Sequence, residues 1–234
     1  MEEGRQRAGS STQEGRADPK SGDRLWGALH LNRTDEYLAE SQDILKRMDR
    51  KEIDKAIGIL FEAWKHDNQV FTLGNGGSAS SSSHFACDLN KWVSDEADRK
   101  FRAFALVDNI PLVSALTNDN GWGDIYYEQL RNFFRKGDVV VAISVHGGSG
   151  SDKAGPWSQN LLKAVKYAKD NGGKVIGLAG FDGGVLKTAA DACVVVPANS
   201  TPHVEGMHLV LTHLMCEQLR QMISKPPTQT RSAY

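Results

Sequence analysis

The chain has 234 residues, 40% of them apolar, and its 28 Lys and Arg against 29 Asp and Glu leave a net charge of −1. That is one domain's worth of chain with room for tails, and the balance gives no reason to expect a nucleic acid partner. No apolar run approaches the roughly 20 residues needed to span a bilayer, and the first 20 residues lack the apolar stretch of a secretory signal. The cysteines, Cys87, Cys193 and Cys216, form no Cys-x-x-Cys pair. Neither a disulfide framework nor a thiolate zinc site follows, and a reducing cytoplasm is the expected compartment.

Residues 1–23 are polar and rich in Gly, Ser and Arg, too poor in apolar surface to offset the entropy of ordering. The expected division is an unstructured leader over 1–33, one domain over 34–224 and a free tail over 225–234. Leu31–Met48 and Lys51–Asp67 carry apolar residues at three- and four-residue spacing, which predicts two amphipathic helices. Gln69–Leu73 is a short β-rich run ending in Gly-Asn-Gly-Gly-Ser. A helix from about Ala79 to Val93, a strand at Phe101–Val107, and helices at Ile110–Leu116 and Gly123–Phe134 follow. Asp138–Ile143 is an apolar strand leading into a second Gly/Ser loop. A helix at Trp157–Asn171, a strand at Lys174–Ala179, a short helix at Gly183–Ala190 and a strand at Ala192–Val196 come next. The last helix, His203–Ile223, is apolar nearly all round and is expected to be buried. Five unbroken Val/Ile/Leu-rich strands alternating with helices predict an α/β three-layer sandwich around a five-stranded parallel sheet, preceded by N-terminal helices.

In such a sheet, ligands sit beyond the carboxyl ends of the strands. Two of those ends carry Gly/Ser loops, Gly74–Ser78 and Ser144–Ser151. Glycine lets backbone N–H groups approach a ligand, a helix N-terminus adds partial positive charge, and serine adds uncharged donors. The composition suits a phosphate ester. Neither loop is a P-loop or a dinucleotide fingerprint. His84 and Asp88 are four residues apart in a predicted helix and share a face, as a metal pair or as a surface His–Asp pair. His203, Glu205, His208 and His213 cluster on the last helix, with Glu205, Leu209 and His213 on one side opposite Met207, Leu211 and Leu214.

The stretches Gly74–Leu89, Leu116–Tyr126, Gly137–Ser144, Lys174–Gly184, Thr188–Pro197 and Val204–Glu217 resemble the sugar-isomerase (SIS) domain, and within it the phosphoheptose isomerases. The resemblance implies an aldose–ketose isomerase acting on sedoheptulose 7-phosphate, a five-stranded parallel sheet, and a homotetramer with active sites where subunits meet. It implies zinc, or another divalent metal, on His84, Asp88, Glu205 and His213. Asp88 and His213 are then the base and its acid partner. Asn75, Gly76, Gly77, Ser78, Ser144, His146, Ser149 and Ser151 fall in the phosphate loops, and Asp108, Asn109 and Glu205 beside the substrate.

Three departures stand out. Asp88 replaces the family's Glu and Glu205 its Gln. The second loop reads Ser144-Val145-His146-Gly147-Gly148-Ser149, where the family reads Ser-Thr-Ser-Gly-Asn-Ser. About nine extra residues follow within 150–160, either a sugar-pocket wall or a cheaply tolerated surface loop. Asp182 in Gly-Phe-Asp-Gly-Gly reads as a turn residue. Eight helical residues rise about 12 Å, so Glu205 and His213 of one regular helix cannot bind one ion. Either the helix starts irregularly after Pro202 or a neighbouring chain completes the site. A non-catalytic phosphosugar-binding or replication-initiator-binding SIS protein, and an isomerase or epimerase for another sugar phosphate, are the rival readings.

Overall fold

The computed structural model describes residues 19–94, 99–148 and 158–224, and of 19–32 the backbone alone. The chain divides into two units, Met1–Asp43 and Ile44–Tyr234. The first contains most of helix α1 (Pro19–Arg47). This helix starts well before the expected Leu31 and runs through part of the expected leader. Pro19 suits its first position, because the N–H that proline lacks is unpaired there in any helix. The rest of the leader and the tail over 225–234 lie outside the described residues.

The second unit holds α2 (Arg50–Lys65), β1 (Gln69–Gly74), α3 (Gly77–Asp88), β2 (Arg102–Ala105), α4 (Ile110–Asp119), α5 (Ile125–Phe133), β3 (Val139–Ile143), α6 (Gln159–Asp170), β4 (Lys174–Ala179), α7 (Leu186–Ala189), β5 (Ala192–Val195) and α8 (Thr201–Ile223). All strands are parallel, in the order β2-β1-β3-β4-β5. Every residue of β1 and β3 is buried, as their unbroken apolar runs require. One core, with Ile53, Leu60, Phe85, Val141 and Met215, sits under α2, α3 and α8. The other, with Phe71, Tyr126, Leu130, Leu161 and Val175, sits under α5 and α6. These are the two outer layers of the expected three-layer sandwich.

Side chains pair the backbone where the sheet's own ladder does not. Asp49 caps α2, accepting from Lys51 N at 2.9 Å, a contribution of about 1 kcal/mol. Glu52 accepts Cys193 N of the edge strand β5 at 2.9 Å, which blunts that edge. Asp138 accepts Gln69 N and Arg135 N at 2.8 and 2.7 Å at the entrance to β3. Asp191 accepts Val175 N at 2.8 Å and pairs with Lys169 at 2.9 Å. Burial works to raise the Asp191 carboxyl, but the Lys169 hydrogen bond, the Val175 N–H and the charges of Lys169 and Lys174 outweigh it, so its pKa lies below the ordinary value.

Two expectations about α8 fail. The helix is not buried all round: Leu209, Val210 and Leu214 are exposed, Leu214 even though it follows Met207 by seven residues and Leu211 by three and so shares their side. Pairs of exposed and buried residues alternate along it, because a single sheet face covers only half of a helix. The helix is also regular from Thr201, so an irregular start after Pro202 does not occur. Elsewhere the departures are local. A π-helical turn, Leu89–Val93, replaces the end of the expected third helix, and a 3₁₀ turn, Trp122–Asp124, precedes α5. Among the described residues, no helix is long and apolar enough to cross a membrane.

Candidate active site

With β1 flanked by β2 and β3, the chain reverses its winding direction between β1 and β3, and a crevice opens at their carboxyl ends. The two Gly/Ser loops leave these two strands. In the first, Gly74 is obligatory: a Cβ there would lie 2.6 Å from Ser78 O and 2.8 Å from Ile143 O. Gly76 adopts φ +58° and ψ −126° and caps α3, a conformation that favours glycine. Ser78 is buried within the first turn of α3. Glu205 reaches this turn from α8, since a Cβ on Gly77 would meet its Oε1 at 2.5 Å. A carboxylate at a helix N-terminus is favourable by roughly 0.3–1 kcal/mol.

The second loop folds back on itself. Gly148 N donates to Ser144 Oγ at 3.2 Å, and Gly147 N to Ser144 O at 3.0 Å. Gly147 and Gly148 have φ of +63° and +58°. A Cβ on Gly147 would fall 1.9 Å from Gly183 O, and Gly147 O accepts Leu186 N at 3.0 Å. The loop is therefore clasped to the turn after β4. The exposed His146 ring packs on Phe181 with centroids 4.3 Å apart. The next described helix, α6, begins at Gln159. Ser149, Ser151 and residues 150–157 of the insertion lie outside the described residues. Asp182 accepts Gly184 N at 3.0 Å, the turn role that Asp-Gly suggests.

On α3, His84 and Asp88 fall one turn apart. Asp88 closes the helix just before the π turn, a feature that often marks functional sites. His213 comes from α8. His84 Nε2 lies 3.0 Å from His213 Nε2 and 3.2 Å from Asp88 Oδ2, and His213 Nε2 lies 3.5 Å from the same Oδ2. Tetrahedral bonds of about 2.0–2.1 Å set ligand atoms about 3.3 Å apart. The three donors fit one divalent ion, and two imidazoles with a carboxylate suit zinc. His84 and His213 are about half exposed, at 47% and 50%, so the fourth side is open. Glu205 is outside this group, as two turns of regular helix separate it from His213.

The remaining candidates have other partners. Asn109 caps α4, accepting Leu112 N at 3.2 Å, and Asp108 accepts the hydroxyl of Ser83, the neighbour of His84. His203 is buried with its Nδ1 3.0 Å from Ser200 Oγ. His208 is fully buried, and neither ring nitrogen has a hydrogen bond of good geometry. Burial drives its pKa down to about 4 against a weaker pull from the Ala179 carbonyl, so the ring is neutral.

The sequence reading missed two residues at the first loop. Asn160 is fully buried and pairs with Asn75 through both amide groups, at 2.8 and 3.1 Å. The buried Tyr126 hydroxyl donates to Gly74 O, and desolvation raises its pKa. Asn160 carried no signal because it stands at the end of the insertion. Tyr126 closes the stretch Leu116–Tyr126 and carried no pattern of its own.

The fold, the two loops and the His–Asp–His group define an SIS-domain protein, and the SIS domain family matches residues 36–180. A phosphoheptose isomerase from Aliarcobacter butzleri is 33% identical over 191 residues, covering 81% of this chain and 96% of its own. The chain thus belongs to the phosphoheptose isomerase family of SIS-domain proteins and is an aldose–ketose isomerase. The solved phosphoheptose isomerase GmhA from Neisseria gonorrhoeae superposes with a TM-score of 0.69 at 29% identity, over 82% of this chain and 98% of that one. The lincomycin biosynthesis protein LmbN from Streptomyces lincolnensis is 38% identical over 162 residues, which span 68% of this chain but 58% of LmbN.

Proposed function

We propose that the chain interconverts sedoheptulose 7-phosphate and D-glycero-D-manno-heptose 7-phosphate through an enediol. The observation that carries this reading is the meeting of His84, Asp88 and His213 beside the two loops at the sheet's switch point. Asp88 removes a proton from the carbon next to the carbonyl, and His213 carries a proton to the neighbouring position through Nδ1, since its Nε2 faces Asp88 and His84 as an ion ligand. Asp88 has two oxygens, so one can serve as a ligand while the other acts as base. A divalent ion on His84, Asp88 and His213 supplies Lewis-acid polarisation of the carbonyl oxygen when bound. The loop hydroxyls, the His146 ring and the backbone N–H groups hold the phosphate end.

A homotetramer with sites between subunits belongs to the same proposal. Leu209, Val210 and Leu214 are exposed around His213, an apolar surface that a second copy would cover. A neighbouring subunit would also bring a ligand such as Glu205 to the open side of the ion. A cytoplasmic setting accompanies this reading. The test is metal analysis of the purified protein together with its turnover of sedoheptulose 7-phosphate.

A second reading, the same isomerisation of a different sugar phosphate, is favoured by one observation. His146 and the left-handed Gly148 stand where the family has a hydroxyl and an amide group. A panel of phosphorylated ketoses separates the two readings.

A further inference from the structure

We infer that Asn160 is a positioning residue that sets the orientation of the Asn75 amide in the first ligand loop, and through it the affinity for substrate. The inference rests on the proposed function for its kinetic consequence. Its structural basis is independent of that reading.

An asparagine amide places a donor and an acceptor on two sides of nearly equal shape, so its orientation is set by its partners. At the start of α6 one partner admits no choice. The backbone N–H of Leu161, in the first turn of α6, can only donate. It donates to Asn160 Oδ1 at 2.8 Å. That bond fixes the oxygen of Asn160, and hence leaves Nδ2 as the donor on the other side. Asn160 Nδ2 donates to Asn75 Oδ1 at 2.8 Å, and Asn75 Nδ2 donates back to Asn160 Oδ1 at 3.1 Å. The polarity of a backbone N–H is thereby passed through two side chains to the loop.

The surroundings make this relay costly to break. Asn160 is fully buried, so an unpaired amide group there would have no water to turn to. The backbone on the other side of Asn75 is also held. Tyr126 donates its hydroxyl to Gly74 O and lies 3.4 Å from Asn75 Oδ1, while Gly74 packs against Ser78 O and Ile143 O. With the backbone held, Asn160 holds the Asn75 amide in one orientation through two hydrogen bonds. The residue thus joins the first loop to the helix that follows the second.

The test compares Asn160→Asp and Asn160→Ala with Leu161→Ala, which loosens the packing of α6 but leaves the amides intact. Asn160→Asp keeps the acceptor for Leu161 N–H and loses the donation to Asn75, so it carries the test if Asn160→Ala fails to fold. Backbone hydrogen exchange over residues 74–80 and steady-state turnover of sedoheptulose 7-phosphate are measured on the full-length protein. Both Asn160 variants are expected to exchange faster over 74–80 than Leu161→Ala does. Their KM should rise about ten-fold with kcat within about two-fold of wild type. Adding Asn160→Ala to Asn75→Ala should change KM by less than about two-fold, because the relay has already lost its end point. Exchange and KM in both Asn160 variants equal to those of Leu161→Ala would overturn the inference. If the wild type itself turns over no sedoheptulose 7-phosphate, the functional reading fails, and the exchange comparison alone decides the role of Asn160.

Discussion

His84 and His213 are separated by 129 positions, yet their Nε2 atoms lie 3.0 Å apart. Two imidazoles this close must share a proton or an ion, and Asp88 Oδ2 lies within 3.5 Å of both. His84→Ala or His213→Ala should therefore lower bound zinc to a small fraction of wild-type stoichiometry, as read by elemental analysis. The helices should stay folded by circular dichroism, because both side chains are half exposed. Full zinc retention in both variants would contradict the assignment.

Asp88 and His213 are expected to carry the proton transfer. Asp88→Asn and His213→Gln should each reduce kcat by about 10²–10⁴-fold. Asp88→Glu, which moves the carboxylate by one methylene, should retain more activity than Asp88→Asn. Equal loss in the Glu and Asn variants would point to geometry rather than proton transfer.

His146 stands on the second loop with its ring against Phe181 at 4.3 Å. One hydrogen bond to a phosphate oxygen is worth roughly 1–2 kcal/mol, so His146→Ala should raise KM about ten-fold and leave kcat nearly unchanged. His146→Ser, which returns a hydroxyl to the loop, should recover part of that loss. An unchanged KM in His146→Ala would place the ring outside the substrate site.

Gly147 tests the clasp between this loop and the turn after β4. Any side chain there combines a φ of +63° with a Cβ 1.9 Å from Gly183 O. Gly147→Ala should destabilise the fold by roughly 2–4 kcal/mol, seen as a lower Tm. Gly76→Ala, at φ +58° but with nothing within 4 Å, should cost about 1 kcal/mol.

Asp191 gives a pH dependence with a definite sign. Its folded pKa lies below the ordinary 3.8. The stability it contributes is therefore complete above that ordinary value and is lost as pH falls through the lower, folded value. Lys169 and Lys174 are partly exposed, so screening keeps the effect small. Asp191→Asn should flatten the acid limb of the Tm profile and leave the difference from wild type constant above pH 5.

Much of this was legible from residue types alone. Val139–Ile143 is an unbroken apolar run because both faces of its strand are covered, and such a run reads the same in one dimension as in three. The two loops were legible because positive φ and close backbone approach leave glycine at Gly74, Gly76 and Gly147. Leu214 was expected to be buried because apolarity does not tell a covered position from an exposed one. Asn160 was passed over because its importance lies in a hydrogen bond to Asn75, 85 positions away, and no local pattern encodes such a pairing. The partner of His84 and Asp88 came from the family resemblance, since spacing on one helix shows only half of a site shared by two.

The central claim is tested most directly by one assay on purified wild-type protein: turnover of sedoheptulose 7-phosphate before and after chelation, with bound metal counted in the same sample. The account predicts about one zinc or similar ion per chain, formation of heptose 7-phosphate, loss of turnover on chelation and recovery when the ion is returned. Metal-replete protein that binds sedoheptulose 7-phosphate and leaves it unchanged would contradict it.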